Sequence, residues 1–578
     1  MTTIERLTNR LRQCRSVSKN GVANFALLPM LSKSVFKNIV SELKITLFQS
    51  TFEADNEIVV IANHFHCPVL SNDSDFFIFD IEAGFIPLKT LNFTCVKEVK
   101  AEKTEEGKQC FIDCNRYNIN LLLQHFHGLD KSLLPLFSCL IGNDYTEHSN
   151  FQKMLNSLPN AESKLKTRKL RTVSKQEKKM IQLLDWMRYK TKSDIITFLL
   201  RFLKLTERET ALQEINSILS VYGTVEKSTF FDNLTKGDTY QELSIRLKLP
   251  VWFLQNFNSG LIDSSSMNVA SMNRLILMPQ VEDFTLSSCY DCSVKLQKLY
   301  FQLSRNSQHQ SQFVVFERNT SVISKKNVEV DVSDLCLHTL QLSSKKELLL
   351  LQALNICPES FKSTCNDLQS LIDNVNICVS SEELNCFMHL VDYWLRESIE
   401  SNTCVYAEFV IALIASVVYN VCVHNKKRMR KSEEVSMNKY FQKYLSAFVP
   451  NNGNKFESRI VHFYNQLQAI IMFYFRINAL LDNKLPYIRV ERVFDGILLY
   501  NLTTELLSRP HPRDYITQKF NEVNKLSLLF QFMCDFVMKG KKIERKYSNL
   551  PKRKVKRSKK SINNVNETNS RFAALEIE

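Results

Sequence analysis

The sequence predicts an α/β domain at the start of the chain, followed by a larger, mainly α-helical region. Three observations lead there. Residues 44–70 pass from a strand-like to a helix-like and back to a strand-like pattern. The 578 residues include only 11 Gly and 13 Pro, which argues for long helices rather than many turns. Beyond residue 150 the apolar residues recur mostly at helical spacing.

The elements follow in order. Arg6 to Arg15 is a basic helix. Lys44-Ile45-Thr46-Leu47-Phe48 is short, β-branched and aromatic, and reads as a strand. Ser50 and Glu53 have capping-box spacing. Ala54, Ile58, Ile61 and Ala62 then predict a helix to about His64. Cys67-Pro68-Val69-Leu70 is a brief apolar strand. Strand, helix, strand is a βαβ unit with a right-handed crossover. Ligands of such sheets sit beyond the carboxyl ends of the strands. Two acidic pairs fall there: Glu53 and Asp55, then Asp73 and Asp75, 20 residues further on. Such a cluster repels itself unless divalent cations occupy it, and hard cations such as Mg²⁺ take carboxylate oxygens. Each pair also has a plainer reading, with Glu53 capping its helix and Asp73 and Asp75 turning the chain. Leu133 to Leu140 is an apolar helix ending in Ile141-Gly142-Asn143-Asp144-Tyr145, which adds Asp144.

Glu53-Ala54-Asp55, Asp73-Ser74-Asp75 and Gly142-Asn143-Asp144-Tyr145 together resemble the internal region of the flap endonuclease superfamily, which includes the xeroderma pigmentosum G nuclease. The longer phrase from Ala62 to Phe76 resembles the asteroid branch of that superfamily. Leu249-Pro250-Val251-Trp252, Arg274 and Pro279-Gln280-Val281-Glu282 agree with it, as does the basic tail. The resemblance is dense over residues 1–150 and patchy beyond.

It implies a nuclease-like domain with a PIN-like parallel sheet and a two-metal Mg²⁺ or Mn²⁺ site. Asp73, Asp75 and Asp144 would serve one cation, Glu53 and Asp55 the other. Arg6, Arg10 and Arg12 would neutralise phosphate. Two departures accompany it. The superfamily opens with two Asp-bearing strands that this chain does not contain, so the sheet would lack its N-terminal strands and the second cation two partners. After Asp144 the chain reads Thr146-Glu147-His148-Ser149-Asn150, where the family carries a Gly-x-Gly hairpin that grips duplex backbone.

The chain is expected to divide into the nuclease-like part at 1–150, a helical part at 151–330, a further helical region at 331–538 and a basic tail at 539–578. The second part carries a basic run, Lys164, Lys166, Arg168, Lys169 and Arg171, continuing to Lys175, Lys178 and Lys179. It would contact phosphates by charge alone, in a salt-sensitive and sequence-blind way; the alternative is a solvated loop and helix face. Of the net charge of +15, +11 lies between Lys539 and Lys560. Within it Lys552, Arg553, Lys554, Lys556, Arg557, Lys559 and Lys560 read as a nuclear import signal, which predicts nuclear localisation and an import receptor as partner. The plainer reading is a solubilising tail. Like charges and little apolar surface predict that this tail is disordered.

The 16 cysteines are scattered and expected to be reduced. Cys289-Tyr290-Asp291-Cys292 lacks the second pair that a zinc ribbon needs. His64, His66, His125 and His127 are expected to be structural. The apolar run from Phe409 to Val423 is too short to span a bilayer, so it reads as a buried helix and no membrane partner is expected. Two functions follow. One is a divalent-metal-dependent, structure-specific endonuclease acting on DNA with branched or single-stranded ends. The other is a non-catalytic nuclear scaffold or signalling protein derived from the nuclease fold.

Overall fold

The computed structural model describes residues 3–22, 27–98, 110–142, 151–159, 175–222, 230–231, 239–307, 310–331, 335–341, 343–375, 379–401, 405–424, 435, 439–446, 456–521 and 526–544. The chain opens with α1 (Thr3–Asn20) and α2 (Ser32–Glu42). α3 (Ala54–His64) leads to β1 (Val69–Ser71), which pairs in parallel with β2 (Phe85–Pro87). β3 (Val96–Glu98) and β4 (Cys110–Ile112) pair antiparallel. There follow α4 (Ile119–His125), α5 (Leu134–Ile141), α6 (Gln152–Ser157), α7 (Lys175–Met187), α8 (Lys192–Leu200) and α9 (Leu205–Val221). The described residues form two compact units, 50–239 and 3–49 with 240–544. The expected boundaries at 150 and 330 fall inside them.

In the first unit, Phe76, Phe79, Ile81 and Phe85 gather with Ala62 of α3 and Val69 of β1 into a small core. A larger core forms where Leu136, Phe137 and Leu140 of α5 meet Leu183 and Met187 of α7, Ile195 and Leu199 of α8 and Ile215 of α9. Each such side chain contributes about 1.5–3 kcal/mol by leaving water. α8 starts where its sequence says it should. Thr191 accepts from Asp194 N, and the Asp194 carboxylate accepts from Thr191 N, a complete capping box.

Two local expectations are corrected. Residues 44–48 belong to none of the strands among the described residues, and Lys44 turns with φ +56°. Ile45 is 57% exposed, and Gln49 N donates to Asn258 O within the second unit. β-branched residues suit a pleated surface only when a neighbouring strand covers them. The parallel pair is instead β1 with β2. Nor is the capping box at Ser50 made. Glu53 itself is the N-cap residue without a side-chain bond, and the Ser50 hydroxyl donates to the Glu53 carbonyl at 3.5 Å. Among the described residues the sheets hold two or three strands.

In the second unit β5 (Arg274–Ile276) pairs in parallel with β6 (Gln312–Asn319), and β6 pairs antiparallel with β7 (Val322–Glu329). α1 packs against β7. The remainder is helical. Helix Ser381–Glu400 packs on Ser458–Leu480, and Ala407–His424 on Gly496–Leu506 and Leu526–Met538. The run is buried from Phe409 to Cys422, with Val423 half-buried, as its composition predicts. No helix among the described residues is long and apolar enough to cross a membrane. The stretch 493–507 is broken at Asp495, whose Oδ1 accepts from Ile497 N and Leu498 N to start a new helix.

Candidate functional site

The acidic turn of the first unit is built by β1. At its carboxyl end the Ser71 hydroxyl accepts from Asp73 N at 3.0 Å. Asp73 Oδ1 then accepts from Asp75 N at 3.1 Å and starts the short 3-10 turn Ser74–Phe77. Phe76 between them is buried against Phe79 and Phe85, so an apolar anchor holds the turn in place. Asp73 is exposed and Asp75 half-buried. Asp75 Oδ2 accepts from the Tyr222 hydroxyl at 3.3 Å, and that hydroxyl lies 2.9 Å from Ser138 Oγ of α5. Nearby, Asp80 is paired with Lys131.

Glu53 is exposed at the start of α3 and Asp55 is half-buried in its first turn, where the helix dipole favours acids. The buried acid of α3 is Glu57, whose Oε1 accepts from Phe230 N at 3.0 Å. Among the described residues no three His, Cys, Asp or Glu side chains form a group that could hold a metal ion. Asp144 lies outside those residues, as do Lys164, Lys166, Arg168, Lys169 and Arg171 and the tail with Lys552, Arg553, Lys554, Lys556, Arg557, Lys559 and Lys560. Lys179 of α7 donates to Asn156 Oδ1 at 3.1 Å.

The predicted phosphate-binding arginines Arg6, Arg10 and Arg12 sit on α1, in the second unit. Arg10 donates to Pro279 O at 2.8 Å and to Leu28 O at 2.9 Å, so its guanidinium ties α1 to its own unit. Arg12 is exposed and donates to Asn9 Oδ1 at 2.7 Å.

The segment Pro279-Gln280-Val281-Glu282, singled out from sequence, is a tie point of this unit. Pro279 O also accepts from Cys14 Sγ, Glu282 O from Ser18 Oγ, and Val281 O from Asn465 Nδ2. Cys289 and Cys292 are both buried, and burial pushes their thiols well above the usual range, which fits inert core residues. The sequence reading missed Tyr222, Ser138 and Glu57. Tyr222 stands 147 residues from Asp75, and no local pattern signals the pairing.

Fold and site define a mostly helical protein in which a short parallel β pair carries an acidic turn at its carboxyl edge. Comparison with known proteins adds relatives to this picture. Residues 383–548 match the model described as the Asteroid N-terminal domain. It is 24% identical over 532 residues to single-strand DNA endonuclease ASTE1 of Homo sapiens, covering 88% of this chain and 73% of that protein. The Danio rerio protein of the same name is 25% identical over 493 residues, 83% of this chain and 66% of its own length. Protein asteroid of Drosophila melanogaster is 26% identical over 266 residues, 38% of this chain and 30% of that protein. No solved structure matches.

Proposed function

We propose that this chain is a nuclease-related protein of the flap endonuclease superfamily, with a PIN-like ancestry in its first unit and a divalent-metal-dependent endonuclease activity on single-stranded or branched DNA. One observation carries the reading: Asp73 and Asp75 stand just beyond the carboxyl end of β1, the strand of a parallel pair, where ligands of such sheets bind. The names of the vertebrate relatives, single-strand DNA endonucleases, point to the same class.

Carboxylate oxygens suit Mg²⁺ or Mn²⁺. The described residues alone do not complete such a site. The resemblance makes Asp144 the third partner of Asp73 and Asp75, and Glu53 with Asp55 a second pair. The described residues themselves hold and orient. Asp73 braces the turn through Asp75 N, and Tyr222 fixes one oxygen of Asp75. The basic tail fits a nuclear protein that an import receptor recognises.

The test is cleavage of labelled single-stranded, flap and hairpin DNAs with Mg²⁺ or Mn²⁺, wild type beside Asp73→Ala and Asp75→Ala. Cleavage by wild type that both substitutions abolish is expected. Cleavage that survives both would remove these carboxylates from the site. A second reading has its own observation. The family model falls on residues 383–548, in the second unit rather than on the acidic turn. On that reading the helical region acts as a nuclear scaffold, and folded wild type would cleave none of the substrates.

A further inference from the structure

α1 carries Arg6, Arg10, Arg12, Arg15 and Lys19 against a single acid, Glu5. These cations do different work. Arg10 is spent on backbone carbonyls, as described. Arg12, Arg15 and Lys19 recur at three- and four-residue spacing and share another face of the helix. With Thr8, Ser16 and Ser321 they line a surface cavity of about 440 Å³. Ser321 belongs to the turn between β6 and β7, so two distant parts of the chain converge here. Among the described residues no carboxylate lies within ion-pair distance of the three cations. Arg12 meets Asn9, and Arg15 lies 5.9 Å over the Phe284 ring. Among the described residues Lys295, Lys326 and Arg489 of the same unit are each paired with a carboxylate, whereas Arg12, Arg15 and Lys19 are not.

Unneutralised cations, hydroxyl donors beside them and an opening to solvent make an anion site. Guanidinium forks match the paired oxygens of phosphate as they do those of carboxylate. From Arg12 to Lys19 the helix rises about 10 Å at 1.5 Å per residue, more than a single phosphate spans. We propose that this cavity binds backbone phosphates of single-stranded DNA. The choice of DNA rests on the nuclease-related reading above; the charge geometry does not.

The experiment measures binding of a fluorescent oligo-dT by anisotropy in EDTA, over a range of KCl concentrations. Wild type is compared with the triple variant Arg12→Gln, Arg15→Gln, Lys19→Gln. A control triple, Lys248→Gln, Lys362→Gln, Lys484→Gln, changes charge equally elsewhere in the same unit. Circular dichroism confirms that both fold. The cavity variant should lose at least tenfold in affinity, and its slope of log affinity against log salt should flatten by about 2, as expected for three single-strand phosphate contacts. The control should stay within twofold of wild type. Equal losses in the two variants, or none in the first, would overturn the proposal, as would wild type that binds no DNA. Pyrophosphate binding by wild type without DNA binding would overturn it in favour of a free polyphosphate. Because EDTA excludes cleavage, DNA binding without any metal-dependent cleavage would defeat the nuclease reading and leave this one standing.

Discussion

Arg318 donates through Nε to Oε1 of Glu282 at 2.7 Å, with the two side chains only 2% and 1% exposed. The other carboxylate oxygen accepts from Cys289 N at 2.8 Å and stands 3.3 Å from His462 Nδ1. Arg318 also donates to the carbonyls of Leu286 and Ser287. Burial favours the neutral acid, yet His462 and Arg318 outweigh it and hold the Glu282 carboxyl below its ordinary range. The pair links the segment after β5 to β6 and to helix Ser458–Leu480 inside the second unit.

Removing one partner should therefore cost more than removing both. Glu282→Leu is expected to destabilise by roughly 3–5 kcal/mol, because Arg318 is left buried without its paired carboxylate. Glu282→Leu with Arg318→Met should cost less than the two single changes added. Urea unfolding of the four proteins gives the coupling energy, and a value near zero would deny that the pair acts as one unit.

His389 sets a pH limit on the same unit. It is buried between Phe361 and Phe536, with ring centroids at 5.4 and 5.0 Å. Burial pushes its pKa down to about 4; Asp392 opposes this and Arg396 adds to it. The folded chain thus keeps His389 neutral while an unfolded chain, at about 6.5, takes the proton. Stability from this residue is complete above pH 6.5 and is lost as pH falls toward 4, by roughly 2–3 kcal/mol. Urea midpoints from pH 7 to 4.5 should fall for wild type and fall less for His389→Phe. Parallel curves would show that another group governs the loss.

Tyr222 should act on the acidic turn as a positioning residue. Its hydroxyl bonds both Asp75 and Ser138. A hydrogen bond of this kind contributes about 1 kcal/mol, so Tyr222→Phe should lower kcat roughly fivefold, with KM unchanged, in any cleavage that depends on Asp75. A change confined to KM would place Tyr222 in substrate binding instead.

Gly84 is held at φ +90°, and a Cβ there would meet Tyr117 O at 2.5 Å. The bridge between Phe85 and Tyr117 follows directly, with both backbone bonds made at 2.9 and 2.7 Å. Gly84→Ala should cost about 2 kcal/mol in the first unit. Gly496→Ala, at the first turn of a helix with nothing within 4 Å, should be neutral or stabilise by up to about 1 kcal/mol. Thermal denaturation of both variants checks the contrast; an undisturbed Tm for Gly84→Ala would mean that the turn yields.

The sequence by itself determined what short-range spacing controls. Ala54, Ile61 and Ala62 announced α3, the Leu-rich run announced α5, and Phe409–Val423 announced a buried helix, because helical periodicity is local and each face needs only one apolar partner surface. The turn at Asp73 and Asp75 was legible too, since its bonds close within two residues. Tertiary structure alone decided the rest. Lys44 to Phe48 had the residues of a strand, but they lie outside every strand among the described residues. Arg10 acquired a bond to Pro279 O, 269 residues away, that its place on a basic helix does not announce. Asp75 acquired Tyr222, and Glu282 acquired Arg318 and His462, through contacts that no spacing rule encodes. A long-range pairing depends on how whole elements pack, and the identity of one partner says little about where the other lies in the chain.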